Sequence, residues 1–130
     1  MEEQDLILAV HRRPGHVLVT VSGEIDIAAA AQLRGRLAGP AGGGRQVIVD
    51  LSRVSFIDAA GVGVLAGAAA RAAAQGGALQ LAAAGWQVRR VLALTGLDRI
   101  IPLAATVAEA RAALRSGPEP WANGVSPGRP

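Results

Sequence analysis

One short run of residues, Val47-Ile48-Val49 followed by Asp50-Leu51, constrains the fold more than any other feature of the chain. The run is nearly uninterrupted in its apolar character and is rich in β-branched side chains. A strand that shows no alternation of polar and apolar residues is typically buried on both faces, as in a parallel sheet covered by helices. The run therefore predicts an interior strand of an α/β sheet.

Further strand and helix patterns alternate along the rest of the chain. Strands are predicted over residues 6–10, 17–21, 47–51, 78–81 and 100–103. Pro14 and Gly15 suit the two central positions of a type II turn, so the first two strands should form a hairpin. Pro102 cannot donate a backbone hydrogen bond, which favours an edge position for the last strand.

Four helices fill the intervals that follow the hairpin. Asp26 and Asp58 are placed to cap helices that end near Ala38 and Gln75, and Thr106 with Glu109 forms a capping box for the last helix. A third helix buries Val88, Val91 and Leu92 and ends at Gly96. The order β-β-α-β-α-β-α-β-α predicts a single α/β domain with a mixed, mostly parallel sheet that begins with an antiparallel hairpin.

Composition sets the limits of this domain. Residues 1–115 are predicted to form it, and residues 116–130, with four Pro and three Gly, are predicted to be a disordered tail.

The acidic start of the chain does not resemble a signal peptide. The longest apolar run spans 12 residues, whereas a membrane helix needs about 20. We therefore expect a cytoplasmic protein with no membrane association, and we expect it to be a monomer.

Several classes of chemistry are disfavoured by the residue types present. The chain has no Cys, and His11 and His16 are its two histidines, so neither a thiol nucleophile nor a zinc site is expected. Ser22, Ser52 and Ser55 lack a convincing His and acid arrangement. The thirteen basic residues are all Arg and are spread along the chain, with few aromatics among them. We therefore predict no enzyme activity, no metal, no cofactor and no direct contact with nucleic acid.

Glycines at 61, 63 and 67 are unusual because they fall inside the second predicted helix. They differ in two ways from a dinucleotide-binding loop, whose G-x-G-x-x-G motif directly follows a strand. Residues 53–58 separate these glycines from the predicted strand, and the third glycine lies one residue further along the chain than the motif requires. Each glycine costs about 1 kcal/mol relative to Ala in a helix. Two interpretations stay open, namely tight packing of the helix on the sheet and close approach of a partner's backbone. The nearby carboxylates Glu24, Asp26, Asp50 and Asp58 fit capping better than paired acid–base catalysis.

Five short motifs together indicate a family. They are GEID at 23–26, VDLS at 49–52, FIDAAGVGVL at 56–65, GG at 76–77 and VLALTGLD at 91–98. In this order and spacing they resemble the STAS domain of bacterial anti-sigma-factor antagonists. The resemblance covers all but the two ends of the chain.

The resemblance implies a transcription regulator that acts by partner switching. Such a protein binds an anti-sigma factor, a serine-kinase-like protein with an ATP-binding fold, and thereby releases a sigma factor. In this family the segment after the buried strand carries a serine whose phosphorylation prevents binding, because the added negative charge repels the partner. The partner-binding residues that the resemblance implies here are Glu24, Asp26, Asp58, Ala59, Ala60 and Gly61.

The chain departs from the family pattern at the phosphorylated position. Ala59 stands where the serine is expected and Ala60 stands beside it, while Asp58 and Gly61 match the pattern. The resemblance therefore implies an antagonist that binds without control at the usual serine. An alternative stays open, in which the domain binds a small ligand or nucleotide, or serves as a subunit of a transport or sensory assembly. A glycine-rich helix start could accept a phosphate, although Asp58 would compete with it.

Overall fold

The structure is a computed structural model that describes residues 6–116 of the chain. Its five strands form one sheet in the order β1-β2-β3-β4-β5. The strands are β1 (Ile7–Arg13), β2 (His16–Ile25), β3 (Gln46–Ile57), β4 (Ala78–Ala82) and β5 (Leu103–Ala104). The helices are α1 (Ile27–Ala38), α2 (Ala59–Ala74), α3 (Trp86–Leu94) and α4 (Val107–Ser116), with a short 3₁₀ helix at Leu97–Arg99.

The sheet is mixed, as the sequence predicts. β1 and β2 are antiparallel, and every other neighbouring pair is parallel. The hairpin turns at Pro14-Gly15, where Gly15 has a φ of 81° that L side chains rarely adopt. The α/β class, the N-terminal hairpin and the order of the elements are thus confirmed.

Helices cover both faces of the sheet, which explains the apolar run in β3. Val47, Val49 and Leu51 point into the larger core, which they share with the buried residues of α1, α2 and α3. Ile48 points the other way, into a smaller core that contains Ala110 of α4. The central strand is therefore buried on both sides over this run.

β2 and β3 extend well beyond the predicted strands. The second predicted strand ends at Val21, but β2 continues to Ile25 through two shifts of register against β3. Such shifts are β-bulges, which bend a strand without ending it, and Gly23 adopts a φ of 116° there. β3 likewise extends to Ile57 and carries the extra residue of each bulge. It advances from Asp50 to Arg53 while β2 advances from Thr20 to Ser22, and from Val54 to Phe56 while β2 advances from Gly23 to Glu24. No loop therefore separates β3 from α2, contrary to the prediction for residues 53–58.

The last strand is shorter and later than predicted. Residues Leu97–Arg99 form the 3₁₀ helix, and the pairing with β4 begins only at Leu103. β5 lies at the edge of the sheet directly after Pro102, in agreement with the edge position that this proline favours. Residues 117–130 lie outside the described residues, so the predicted tail stays a prediction. Within residues 6–116, no helix is long and apolar enough to cross a membrane.

Gly61 lies where α2 meets the sheet, and the contact leaves no room for a side chain. A Cβ at this position would lie 2.6 Å from Ile25 Cγ2, 2.8 Å from Ile57 Cγ1 and 3.0 Å from the Ile25 carbonyl oxygen. Gly63, by contrast, is exposed and has no neighbouring atom within 4 Å of such a Cβ. Helix-on-sheet packing therefore explains Gly61 and leaves Gly63 unexplained by the fold.

The two glycines should respond oppositely to the same substitution. We expect Gly61→Ala to lower the free energy of unfolding by about 1–3 kcal/mol, because the added methyl group overpacks the contact. We expect Gly63→Ala to raise it by up to about 1 kcal/mol, because alanine is the better helix former and meets no clash. Urea unfolding of the two variants beside the unmodified chain measures both changes. Equal effects of the two substitutions would contradict this assignment of the packing contact.

Candidate functional site

The predicted site residues gather where β2 and β3 end. Ile25 pairs with Ile57 as the last residue pair of the two strands, and the Asp58 N–H donates to the Ile25 carbonyl oxygen at 3.2 Å. Asp26 and Asp58 follow these paired positions directly, and each begins a helix. The carboxyl ends of two neighbouring parallel strands therefore bring both aspartates to one edge of the sheet.

Each aspartate caps its helix, as the sequence predicts. The Ala29 N–H donates to Asp26 Oδ1 at 2.9 Å. Asp58 Oδ1 accepts from the N–H groups of Ala60 at 3.0 Å and Gly61 at 3.2 Å. The donors that a phosphate would need at the start of α2 are therefore already occupied by a carboxylate. This geometry disfavours a phosphate-binding helix start.

The six residues that the family resemblance points to differ in accessibility. Glu24 and Ala59 are exposed, Asp26, Asp58 and Ala60 are half-buried, and Gly61 is buried. Glu24 lies opposite Phe56 in the sheet, at the same end as the two caps. All six therefore belong to one region, in which Gly61 lies beneath the surface that the others form.

Exposed apolar side chains border this region, and the sequence analysis did not single them out. Ile27 is 77% exposed at the first residue of α1, Phe56 is 46% exposed near the end of β3, and Trp86 is 65% exposed at the first residue of α3. The signal that could have found them is their position, since each lies at a strand end or helix start on the same edge of the sheet. Large apolar residues exposed together are typical of a binding surface.

The two aromatic residues among them, Phe56 and Trp86, line a groove between the end of β3 and α3. The groove has a volume of about 300 Å³, and Phe56, Trp86, Arg90 and Val91 contribute to its walls. It adjoins Ile57 and so reaches the residue before the Asp58 cap. The edge of the sheet thus carries an apolar depression with one cationic side chain beside the capped helix start.

The arrangement offers little for catalysis. β2 begins with His16 and ends beside Asp26, so that histidine and the carboxylates of the region lie at opposite ends of the same strand. Ser52 and Ser55 are exposed on β3, and the Ser52 N–H donates to Asp50 Oδ1 at 2.9 Å. Among the described residues, no group of three or more His, Cys, Asp or Glu is placed to hold a metal ion. What the region can do is present a shaped surface.

Comparison with protein families gives a match over most of the chain. Residues 8–110 match the STAS domain. The anti-sigma-B factor antagonist of Bacillus subtilis (strain 168) is 33% identical over 96 residues, which cover 74% of this chain and 88% of that protein.

Solved structures agree with the sequence comparison. An anti-sigma factor antagonist from Mycobacterium paratuberculosis superimposes with a TM-score of 0.75 at 31% identity, covering 85% of this chain and 95% of that one. The Bacillus cell fate determinant SpoIIAA in its phosphorylated form gives a TM-score of 0.64 at 26% identity, covering 84% of this chain and 100% of that one.

The Asp58 cap can be tested apart from any binding role. Replacing Asp58 with Ala removes the acceptor of two N–H groups, so we expect the free energy of unfolding to fall by about 0.5–2 kcal/mol. Asp58→Asn keeps an oxygen that can accept the same bonds and should retain most of that stability. Thermal or urea unfolding distinguishes the two variants, and an Asn variant as unstable as the Ala variant would contradict the capping role.

Proposed function

The chain belongs to the STAS domain family, and on that basis we propose that it is an anti-sigma-factor antagonist that regulates transcription by binding another protein. Its partner is an anti-sigma factor with a serine-kinase-like, ATP-binding fold, and binding releases the sigma factor which that protein holds. The chain itself acts without catalysis. The observation that carries the proposal is the exposed, capped start of α2 at an edge of the sheet with an apolar border.

The contact surface centres on Ala59. This residue is exposed at the first position of α2, and the small, exposed Gly63 lies one turn further along the helix. Small residues here let a partner's backbone approach closely. This close approach explains why position 63 is a glycine, which the packing of the fold does not explain. Because Asp58 occupies the nearest N–H groups, the partner is recognised by shape and by its own complementary groups.

The apolar border supplies the anchors of the interface. Ile27, Phe56 and Trp86 are large apolar side chains exposed at this edge of the sheet. Interfaces concentrate their binding energy in a few aromatic or Arg residues near the centre, and charged groups usually lie at the rim. We assign the groove between Phe56 and Trp86 to an apolar side chain of the anti-sigma factor, with Arg90 beside it to pair with a carboxylate. Glu24 and Asp26 form the acidic part of the rim.

Binding is not controlled by phosphorylation at the start of α2. SpoIIAA, to which this chain is similar, has been solved in its phosphorylated form. Ala59 has no hydroxyl group to accept a phosphate, and neither has Ala60. The antagonist is therefore constitutively able to bind. The amount of sigma factor released depends on the amount of the antagonist or on its partner.

A change of charge at Ala59 should separate folding from function. A carboxylate in the first helical turn typically adds about 0.3–1 kcal/mol to the free energy of unfolding. The neighbouring carboxylate of Asp58 should reduce this gain, so the net effect on stability is small and Ala59→Asp should fold normally. At the interface the charge would be desolvated without a partner, which costs several kcal/mol. We expect the affinity for the anti-sigma factor to fall tenfold or more, about 1.4 kcal/mol per decade.

The assay is displacement of a sigma factor from an anti-sigma factor that binds the unmodified chain, with melting measured on the same preparations. Ala59→Asn is the matched control, because its side chain has nearly the shape of Asp and no charge. It should keep most of the activity of the unmodified chain. If Ala59→Asp displaces the sigma factor as well as the unmodified chain does, the start of α2 is not the contact surface.

A second substitution tests the missing switch. Incubation of the unmodified chain with the partner kinase and radiolabelled ATP should label nothing at the start of α2, whereas Ala59→Ser should gain a single acceptor there. Peptide mapping locates the label. Stoichiometric labelling of the unmodified chain at Ser52 or Ser55, both exposed on β3, would contradict the proposal that binding lacks this control.

A further inference from the structure

A second concave region lies at the opposite end of the sheet. There the end of β1, the start of β2 and the start of β3 enclose a pocket of about 250 Å³. Its lining includes Arg12, Arg13, His16, Arg45 and Gln46, and we call it the arginine pocket. β3 spans 12 residues from this end to the start of α2, which is about 35 Å at the usual rise of a strand. The pocket is therefore separate from the proposed partner surface.

The register of the strands explains why these residues converge. Arg13 pairs with His16 across the hairpin, and Arg12 pairs with Val17. Val17 in turn pairs with Val47 of β3, which places Gln46 and the preceding Arg45 at the same end of the sheet. The end of β1 and the residue before β3 thus bring three arginines to one site, although Arg45 is distant in sequence from the other two.

The positive charge of the pocket is not compensated by its own walls. No Asp or Glu lines it. Arg45 donates from Nη1 to the carbonyl oxygens of Gly42 at 2.7 Å and Gly39 at 3.2 Å, which fixes its guanidinium group and leaves Nη2 without a hydrogen bond in the described part of the chain. Arg12 and Arg13 are exposed and form no ion pair within residues 6–116. An anion would therefore meet no acidic side chain in the walls, and the exposed Arg12 and Arg13 have no carboxylate in the pocket to compete with it.

His16 adds an independent observation. Its Nε2 atom is buried and has no hydrogen-bond partner among the described residues. Buried polar atoms in proteins are nearly always paired, so Nε2 is available for a hydrogen bond to a bound group. Because Nε2 does not touch solvent, a small rotation of the imidazole would be needed to bring it to a ligand oxygen in the arginine pocket.

From these features we propose that the arginine pocket binds a phosphorylated small molecule through its phosphate group. Guanidinium groups bind phosphate in a bidentate manner, and several of them around one site match a dianion with several oxygens better than a single carboxylate. The volume lies just below the range of about 300–1,000 Å³ that is typical of ligand pockets, which suits a small phosphomonoester. No Phe, Tyr or Trp lines the pocket to stack on a base, which disfavours single-stranded nucleic acid.

The test uses the full chain, labelled with ¹⁵N, and follows its NMR spectrum during addition of inorganic phosphate and then glycerol 3-phosphate at constant ionic strength. We expect saturable shifts of the Gly15 and His16 amides and of the His16 Nε2 resonance. Arg12→Ser/Arg13→Ser should weaken binding tenfold or more, because two of the charged donors are lost. Both residues are exposed, so the variant should melt like the unmodified chain.

The matched control is Arg34→Ser/Arg99→Ser, which removes the same charge from exposed positions outside the pocket. It should leave phosphate binding unchanged. Shifts that never saturate, or an equal loss of binding in both double variants, would overturn the proposal.

A lipid surface and a nucleic acid also present phosphate groups, so each is tested in the same assay. The probes are phosphatidic acid vesicles and a short single-stranded oligonucleotide. We expect neither to bind more tightly than glycerol 3-phosphate. Tighter binding of either one, lost in Arg12→Ser/Arg13→Ser, would overturn the assignment to a small molecule.

Discussion

The contact between the start of α2 and the ends of β2 and β3 fixes the geometry of the edge that carries the proposed partner surface. Gly61 lies so close to Ile25 and Ile57 that a methyl group would overlap both side chains. The hydrogen bond from the Asp58 N–H to the Ile25 carbonyl oxygen ties the same strands to the helix. Because the helix start is held against the sheet, Ala59 at its first position faces solvent and stays in a fixed relation to the neighbouring strand ends.

Capping then determines what kind of recognition this edge can support. Helix starts often bind anions through unpaired N–H groups, but here Asp58 takes two of those groups for itself. What remains accessible is a small side chain on the helix, acidic groups beside it and the exposed faces of Phe56 and Trp86. Such a surface suits contact with another protein. The residues suited to anions lie at the other end of the sheet, in the arginine pocket.

Much of the fold can be predicted from the sequence because its signals are local. The apolar run of β3, the caps at Asp26 and Asp58 and the Pro14-Gly15 turn each specify an element within a few residues, and the structure contains all of them. The continuation of β2 to Ile25 could not be predicted, because Ser22-Gly23-Glu24 has the composition of a break and only pairing with β3 keeps it in the sheet.

The site was partly predictable for the same reason. Its caps and Ala59 follow from local patterns and from the family motifs, and the structure places them at one edge of the sheet. Trp86 and Phe56 are distant in sequence, and their shared groove arises because the long end of β3 passes beside α3. The arginine pocket likewise depends on the register of three strands, which no short motif encodes.

The central claim is that the anti-sigma factor contacts the edge formed by the ends of β2 and β3. Amide NMR of the ¹⁵N-labelled chain, recorded with and without the unlabelled anti-sigma factor, tests it most directly. We expect signals of Ile27, Ala59 and Trp86 to shift or broaden on binding, while those of α4 and of the Pro14-Gly15 turn stay unchanged. Changes centred on α4 or on the hairpin turn, with Ala59 unaffected, would contradict it.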